Sequence, residues 1–351
     1  TGRPQRRAPG GGGARLLALA MTRDADLDAG RRKLEEFKKA KDAAKHRDAT
    51  PSDVEAEQKK EKPEKMKTSN AGKTDDETAA IKAWLDFARL RRPPYRMGNS
   101  PPEPAEEAKE VLSFHATKDA CTGRTLLLAP IEPLVGFLRH PEAHCPQFPG
   151  SKSWVVKVIS KDYLIPAWHA EAWPRGRTRA LFFDLGASLY HTGNGGASMS
   201  WFVTQYRVRG IQFDRIFAWE AKFHTDATIY ATMPAPIVDR ISYYNLPANT
   251  TPGGKHNPWR TLRAVATQAD FVVVKIDIDN TPIEEALIEQ LLADRALSSL
   301  VDELYWEHHV LNTPMWHYGW KGGTVTTHTL VHSYDLFSRL RELGIRAHSW
   351  V

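Results

Sequence analysis

From Ala180 to Leu185 the chain reads ALFFDL, and Gly186 follows at once. A short run of large apolar side chains is typical of a buried β-strand. An acid, Asp184, stands near the end of this run, and a glycine directly after it lets another group approach the backbone closely. In open α/β sheets, ligands bind outside the carboxyl ends of the strands. We therefore expect a binding crevice where this strand ends.

Further strand and helix patterns alternate along the rest of the chain. The other predicted strands of this region are 215–219, 241–245, 271–277, 303–308 and 345–351. The predicted helices between them are 197–208, 226–238, 283–294 and 333–343. Apolar strands separated by helices indicate a parallel sheet that is covered on both faces. The sequence thus predicts an α/β domain over residues 151–351, with a Rossmann-like, doubly wound, mostly parallel sheet and helices on both faces.

The residues before this domain have a different composition. Residues 1–75 are predicted to form a disordered, charged arm, and residues 76–150 a helical, proline-rich lead-in. The arm contains a candidate helix at 28–48, which would suit a protein partner; a solvated arm without a partner is the alternative. The elements predicted in and just after the lead-in are helices at 78–92, 106–112 and 131–138, and strands at 125–128 and 154–159.

The charge and cysteine content exclude several classes of function. The formal net charge is +6, and the first hundred residues alone hold 24 basic and 16 acidic side chains. The remainder is slightly acidic, so specific nucleic-acid binding is not expected of the folded part. No run approaches the roughly 20 apolar residues of a membrane span. The two cysteines, Cys121 and Cys145, are too few for a disulfide framework, which indicates a reducing compartment such as the cytoplasm, and they form no C-x-x-C motif that could bind zinc.

Residues 1–20 leave a second location open. They are rich in arginine and glycine and contain no acid. Organellar transit peptides are likewise rich in arginine and poor in acids. The alternative is that they precede a translation start at Met21, and the sequence does not separate the two interpretations.

Glu220 follows the predicted strand 215–219. A carboxylate at such a strand end can accept hydrogen bonds from both hydroxyls of a ribose. The alternative is a surface ion pair. Because the carboxyl ends of parallel strands meet at one edge of a sheet, we expect Asp184, Glu220 and Asp277 to converge on a single crevice.

Asp277 and Asp279 stand two residues apart, after the predicted strand that begins at Phe271. Carboxylates there can orient an acceptor hydroxyl, accept its proton or bind a metal. The alternative is capping, because Asp279 or Asn280 precedes a helix whose first turn contains Pro282.

The strand at 303–308 carries a third group of polar residues. Alternation places Glu303, Tyr305, Glu307 and His309 on one face and Trp306 and His308 on the other. Glu307 or His308 could act as a general base or metal ligand. A histidine with a purely structural place at the strand end is the alternative, and no metal ligand is assigned from the sequence.

Taken in order, these segments resemble the class I S-adenosylmethionine-dependent methyltransferases, and among them the FkbM-like family. The resemblance covers residues 154–351. It is carried by Asp184, Gly186, Glu220, the third strand and loop 241–248, the motif Lys275-Ile276-Asp277-Ile278-Asp279-Asn280, and Glu307-His308. In that family, the motif reads Lys-Ile-Asp-x-Glu-Gly, so Asp279 and Asn280 depart from it. Ser188 stands where a second glycine is usual.

The resemblance implies roles for these residues. Asp184, Gly186, Ser188 and Glu220 would bind the cofactor S-adenosylmethionine. Asp277, Asp279, Glu307 and His308 would lie near the acceptor, with Asp277 or His308 as the base.

The implied reaction is O-methylation of a hydroxyl on a sugar, glycan or small metabolite. A non-catalytic binding or scaffold protein with a degenerate cofactor pocket is the alternative, which the missing second glycine favours. A nicotinamide-dependent dehydrogenase is disfavoured, because no G-x-G-x-x-G motif follows the strand 180–185.

Overall fold

The computed structural model describes residues 75–90, 104, 106–118, 124–134, 138–142, 157–173, 178–192, 198–311, 315 and 327–351. The predicted arm, apart from Asp75, and its candidate helix 28–48 lie outside the described residues. Two helices of the lead-in are confirmed, α1 at Asp75–Leu90 and α2 at Glu106–Val111.

The lead-in also contains an antiparallel hairpin. It pairs β1, Ser113–Lys118, which the sequence analysis did not predict, with β2, Thr125–Ile131. The predicted helix at 131–138 is wrong over its described part, because Ile131 pairs with Ser113 as the last residue of β2 and residues 132–134 are not helical. The predicted strand at 154–159 is also wrong over its described part, since 157–158 are helical and pair with no strand. A short helix, α3 at His169–Ala172, follows.

The main sheet has six strands within the described residues, in the order β5-β4-β3-β6-β7-β8. Every neighbouring pair is parallel. The strands are β3 Ala180–Leu185, β4 Arg215–Trp219, β5 Ile241–Tyr244, β6 Phe271–Ile276, β7 Glu303–Trp306 and β8 Arg346–Ser349. They confirm the predicted strands, with ends that differ by one or two residues at most. The chain reverses its direction of travel across the sheet between β3 and β6.

The helices that connect these strands are α4 Ser198–Val208, α5 Asp226–Tyr230, α6 Ala235–Val238, α7 Pro258–Val265, α8 Thr281–Ala293, α9 Arg295–Ser298 and α10 Leu330–Glu342. The prediction of one helix over 226–238 is wrong. Pro234 has an extended backbone between α5 and α6, and its missing N–H could not continue a helix. Helices α7 and α9 were not predicted. None of the helices in the described ranges has the length and apolar character that a bilayer crossing requires.

Both faces of the sheet are covered. Along β3, Phe182 points to a core that includes Phe202 of α4. Its neighbour Phe183 points to a second core, which includes Leu287 of α8 and Phe337 of α10. This period of two, with helices on each side, explains why apolar residues occupy consecutive positions of the strands. The prediction of an α/β sheet with helices on both faces is confirmed.

Candidate functional site

A cleft of about 420 Å³ opens at the carboxyl ends of β3, β4 and β6. Its volume falls within the roughly 300–1,000 Å³ of small-molecule sites. The described residues that line it are Gly186, Ser188, Thr192, Ser198, Trp219, Glu220, Ala221, Lys222, Ala248, Asp277, Ile278 and Asp279. The strand order reverses between β3 and β6, so the loops that follow these two strands run in opposite directions and leave a crevice between them. Ligands of open α/β sheets bind in such a crevice.

Gly186 has no room for a side chain. Its φ is +80°, and a Cβ atom there would lie 1.6 Å from the carbonyl oxygen of Asp277. The Asp277 N–H donates to the Leu185 carbonyl at 3.0 Å, so the segments that follow β3 and β6 stay paired just past the strands. A glycine is thus required at position 186 by the close approach of Asp277 as well as by the turn.

Ser188 and Glu220 are held together by hydrogen bonds to the backbone. The Ser188 N–H donates to Oε2 of Glu220 at 2.8 Å, and the Lys222 N–H donates to Oε1 at 2.6 Å. The Tyr243 hydroxyl donates to the Ser188 carbonyl at 2.6 Å. Ser188 has a φ of +51°, so it adopts the left-handed backbone that a glycine would favour at this position. The turn is therefore formed although the second glycine is missing.

Asp184 lies beneath the cleft and does not line it, which differs from the expected convergence of three acids on the crevice. Its side chain is fully buried. Asp184 and Lys275 are register partners on β3 and β6, so their side chains lie on the same face of the sheet. The Lys275 Nζ lies 3.2 Å from Oδ1 of Asp184 and 3.3 Å from Oδ2 of Asp277. It also donates to the Gly186 carbonyl at 2.8 Å. One ammonium therefore serves two carboxyls.

The ammonium of Lys275 affects the protonation of both Asp184 and Asp277. Burial raises the pKa of Asp184, and the charge of Lys275 opposes that rise. Burial likewise raises the pKa of Asp277 to about 8, again against the effect of Lys275. A single lysine cannot neutralise two buried carboxylates, so one of the two acids tends to keep its proton.

Asp277 and Asp279 both reach the cleft, and neither is a helix cap. The indole N–H of Trp350 donates to Oδ2 of Asp277 at 3.1 Å. Asp279 is exposed and has a φ of +58°. The cap of α8 is Asn280, whose side chain accepts from the Ile283 N–H. Asp279 is therefore free of the capping role.

Glu307 lies outside the lining of the cleft. It forms a buried ion pair with Arg139 at 2.6 Å, and its Oε2 lies 3.6 Å from Nε2 of His309. Burial would raise the pKa of Glu307, but the charge of Arg139 and the neighbouring His309 outweigh this and lower it. The donor atoms of Asp279, Glu307 and His309 lie within 4.8 Å of one another, so this group could hold a metal ion.

His308 follows the end of β7 and lies beside Trp306, the residue with which the alternation groups it. Its ring stacks on Trp306 with 4.1 Å between centroids, and its Nδ1 lies 2.8 Å from the Ser333 hydroxyl. Burial lowers the pKa of His308 to about 4. His308 is absent from the described lining of the cleft.

Sequence reasoning missed the roles of Lys275, Trp350 and Lys161. A lysine within the apolar run FVVVKI was a usable signal, because a buried charge needs a partner of opposite charge. Trp350 and Lys161 gave no local signal. The Lys161 Nζ lies 5.0 Å from the centre of the Trp350 ring, and burial lowers the pKa of this lysine to about 8.

The cleft thus brings together Gly186, Ser188, Glu220, Asp277 and Asp279. Its walls combine backbone amides, the hydrogen-bonded carboxylate of Glu220 and the carboxyl groups of Asp277 and Asp279. Carboxyl groups can accept hydrogen bonds from hydroxyls, bind cations and exchange protons. No protein-family model, curated protein or solved structure matches this chain.

Proposed function

We propose that the chain is an S-adenosylmethionine-dependent methyltransferase of the FkbM-like type. Its acceptor is a hydroxyl of a sugar, glycan or small metabolite. The observation that supports this is the position of Glu220, on the wall of a cleft at the carboxyl edge of the central strands. The sheet order, counted from β3 as the first strand, is 3-2-1-4-5-6, as in Rossmann-like domains that bind nucleotides at this edge.

The residues of the cleft fit this cofactor. Both carboxylate oxygens of Glu220 are anchored by backbone amides, and each keeps a lone pair for a ribose hydroxyl. Trp219 and Ala248 offer apolar surface for a base. The lining holds three carboxyl groups and one described cation, Lys222, which favours a ligand with positive charge.

When bound, the cofactor supplies a methyl group on a positively charged sulfur. The protein has to position the acceptor and take its proton. Asp277 is the base in this proposal, because it lines the cleft and its carboxylate is held by Lys275 and Trp350. Asp279 is placed to accept a hydrogen bond from the acceptor. His308 lies outside the lining and has no part in the proposal.

Calorimetric titration with S-adenosylhomocysteine tests the cofactor site. We expect micromolar binding to the wild-type chain. Glu220→Gln should weaken it by about 10–100-fold, since a hydrogen bond to a charged group contributes roughly 1.5–3 kcal/mol. Glu342→Gln, an exposed carboxylate at the end of α10, is the matched control and should bind as the wild type does. Absence of binding to a folded wild-type chain would overturn the proposal.

Transfer of a radiolabelled methyl group tests the reaction. Sugars, oligosaccharides and small hydroxylated metabolites are the acceptors to compare. Asp277→Asn should keep cofactor binding and lose about 10²–10⁴-fold in transfer rate, as the loss of a general base does. Cofactor binding without transfer to any acceptor would favour the alternative, a non-catalytic binding or scaffold protein.

The cytoplasmic location and a protein partner for residues 1–75 stay predictions, because they depend on composition alone.

A further inference from the structure

A cluster of two histidines and a glutamate lies apart from the cleft. We call Glu285 of α8, His308 after β7 and His328 before α10 the histidine–glutamate cluster. The Nδ1 of His328 lies 2.7 Å from Oε1 of Glu285 and 3.1 Å from Nε2 of His308. The His308 Nε2 lies 3.8 Å from the same Glu285 oxygen. Three possible ligand atoms from separate segments of the chain thus lie within 4.8 Å of one another.

These distances match the coordination shell of a small metal ion. Nitrogen and oxygen ligands bind zinc at about 2.0–2.2 Å, so ligand atoms around a tetrahedral ion lie about 3.3 Å apart. The three separations in the cluster fall on either side of that value. Two imidazoles and one carboxylate also form a donor set that divalent first-row transition metals prefer.

The surroundings of His308 hold its ring in the orientation that a metal ligand needs. Ser333, which is fully buried, lies 2.8 Å from Nδ1, and the Trp306 ring stacks on the imidazole. A hydrogen bond at Nδ1 leaves the lone pair of Nε2 directed at the other two ligands. Metal-binding histidines are commonly oriented by such a bond at their second nitrogen.

We propose that the histidine–glutamate cluster binds one divalent transition-metal ion of the zinc type. The fourth position is taken by water or by His332, whose ring centre lies 4.0 Å from that of His328. Neither Glu285 nor either histidine lines the cleft, so the ion has a structural role. It joins α8 and the end of β7 to the beginning of α10. The Leu311 N–H, which donates to the His328 carbonyl at 2.8 Å, already pairs two of these segments.

Zinc binding by the full chain tests this proposal. The protein is treated with chelator, titrated with zinc and measured by calorimetry, metal analysis and thermal unfolding. We expect one zinc per chain and a higher melting temperature with zinc. Glu285→Gln and His328→Asn change side chains that are about a quarter exposed, so both variants should fold, which circular dichroism checks. Each should weaken zinc binding by at least about tenfold, because loss of even an outer-shell partner costs 10–100-fold.

Two controls locate the ion. His256→Asn removes a histidine outside the cluster and should leave zinc binding unchanged. Asp279→Asn disrupts the other candidate group, formed with Glu307 and His309, and should also leave it unchanged. The proposal is overturned if the wild type binds no zinc, or if Glu285→Gln and His328→Asn bind it as tightly as the wild type. Loss of zinc only in Asp279→Asn would assign the ion to the other group.

Discussion

Gly186 is the residue whose identity is most strictly required in the cleft. Gly186→Ala would place a Cβ atom 1.6 Å from a backbone oxygen, at a φ of +80°. The chain after β3 and the chain after β6 would have to separate, so we expect a loss of more than about 3 kcal/mol in the free energy of unfolding. Urea unfolding measures this, and cofactor binding should fall with it.

Gly344 provides the matched control for this substitution. Its φ is also positive, at +92°, but nothing lies within 4 Å of an added Cβ. Gly344→Ala therefore carries only the conformational cost of a left-handed backbone, about 1–2 kcal/mol. Equal losses of stability in the two variants would show that the contact with Asp277 does not matter.

Strand β7 joins several elements through one buried acid, Glu303. Its carboxylate lies 2.7 Å from Nε2 of His348 and 3.1 Å from Nε of Arg346, both on β8, and accepts from the Tyr206 hydroxyl of α4 at 2.6 Å. Burial would raise the pKa of Glu303, but the bonds to His348 and the charge of Arg346 lower it to about 2. Alternation along the strand predicts the face on which Glu303 lies but not these partners.

Glu303→Gln tests this network at the scale of the element. Loss of the charge breaks the buried ion pair with Arg346, so the free energy of unfolding should fall by about 3–5 kcal/mol. Asp335→Asn breaks an exposed ion pair with Arg339 within α10 and should cost less than about 1 kcal/mol. Urea denaturation of both variants gives the comparison. Similar losses in the two would mean that the buried network adds no stability.

The elements that were predicted correctly share a local cause. Runs such as 181–183 and 216–219 are apolar at consecutive positions because both faces of each strand are buried, and this requires no knowledge of partners. The errors at 131–138 and 154–159 concern the lead-in. There, pairing with β1 gives Ile131 an extended backbone, and a run such as 154–159 is ambiguous between strand and helix by pattern alone.

Protonation of Asp277 links the cleft to the stability of the whole molecule. Its pKa in the folded chain is about 8, well above the value of about 4 in an unfolded chain. Between these values, the folded state keeps a proton that the unfolded state releases, so this group makes stability fall as the pH rises from about 4 to 8. The charged groups that act on Asp277 are Lys275, Glu307, Glu284, Asp279 and Lys161.

Asp277→Asn isolates this contribution. The free energy of unfolding of the wild type should fall as the pH rises, and Asp277 should supply up to about 1.4 kcal/mol per pH unit of that slope. Asparagine does not titrate, so the variant should lack this part of the slope. Urea unfolding at several pH values between 5 and 8 measures both chains. Parallel stability curves for the wild type and the variant would contradict a raised pKa. Since the ionised carboxylate is the proposed base, methyl transfer by the wild type should increase as the pH rises through about 8.

The sequence alone determined the α/β class, the six strands of the sheet and five of the twelve described residues that line the cleft. These follow from local features: continuous apolar runs, an acid or glycine at a strand end, and the rule that parallel strands end at one edge. The tertiary structure decided the placement of Asp184 beneath the cleft, the sharing of Lys275 between two acids, and the meeting of Glu285, His308 and His328. Such contacts join residues that are far apart in the sequence, so no local sequence pattern predicts them.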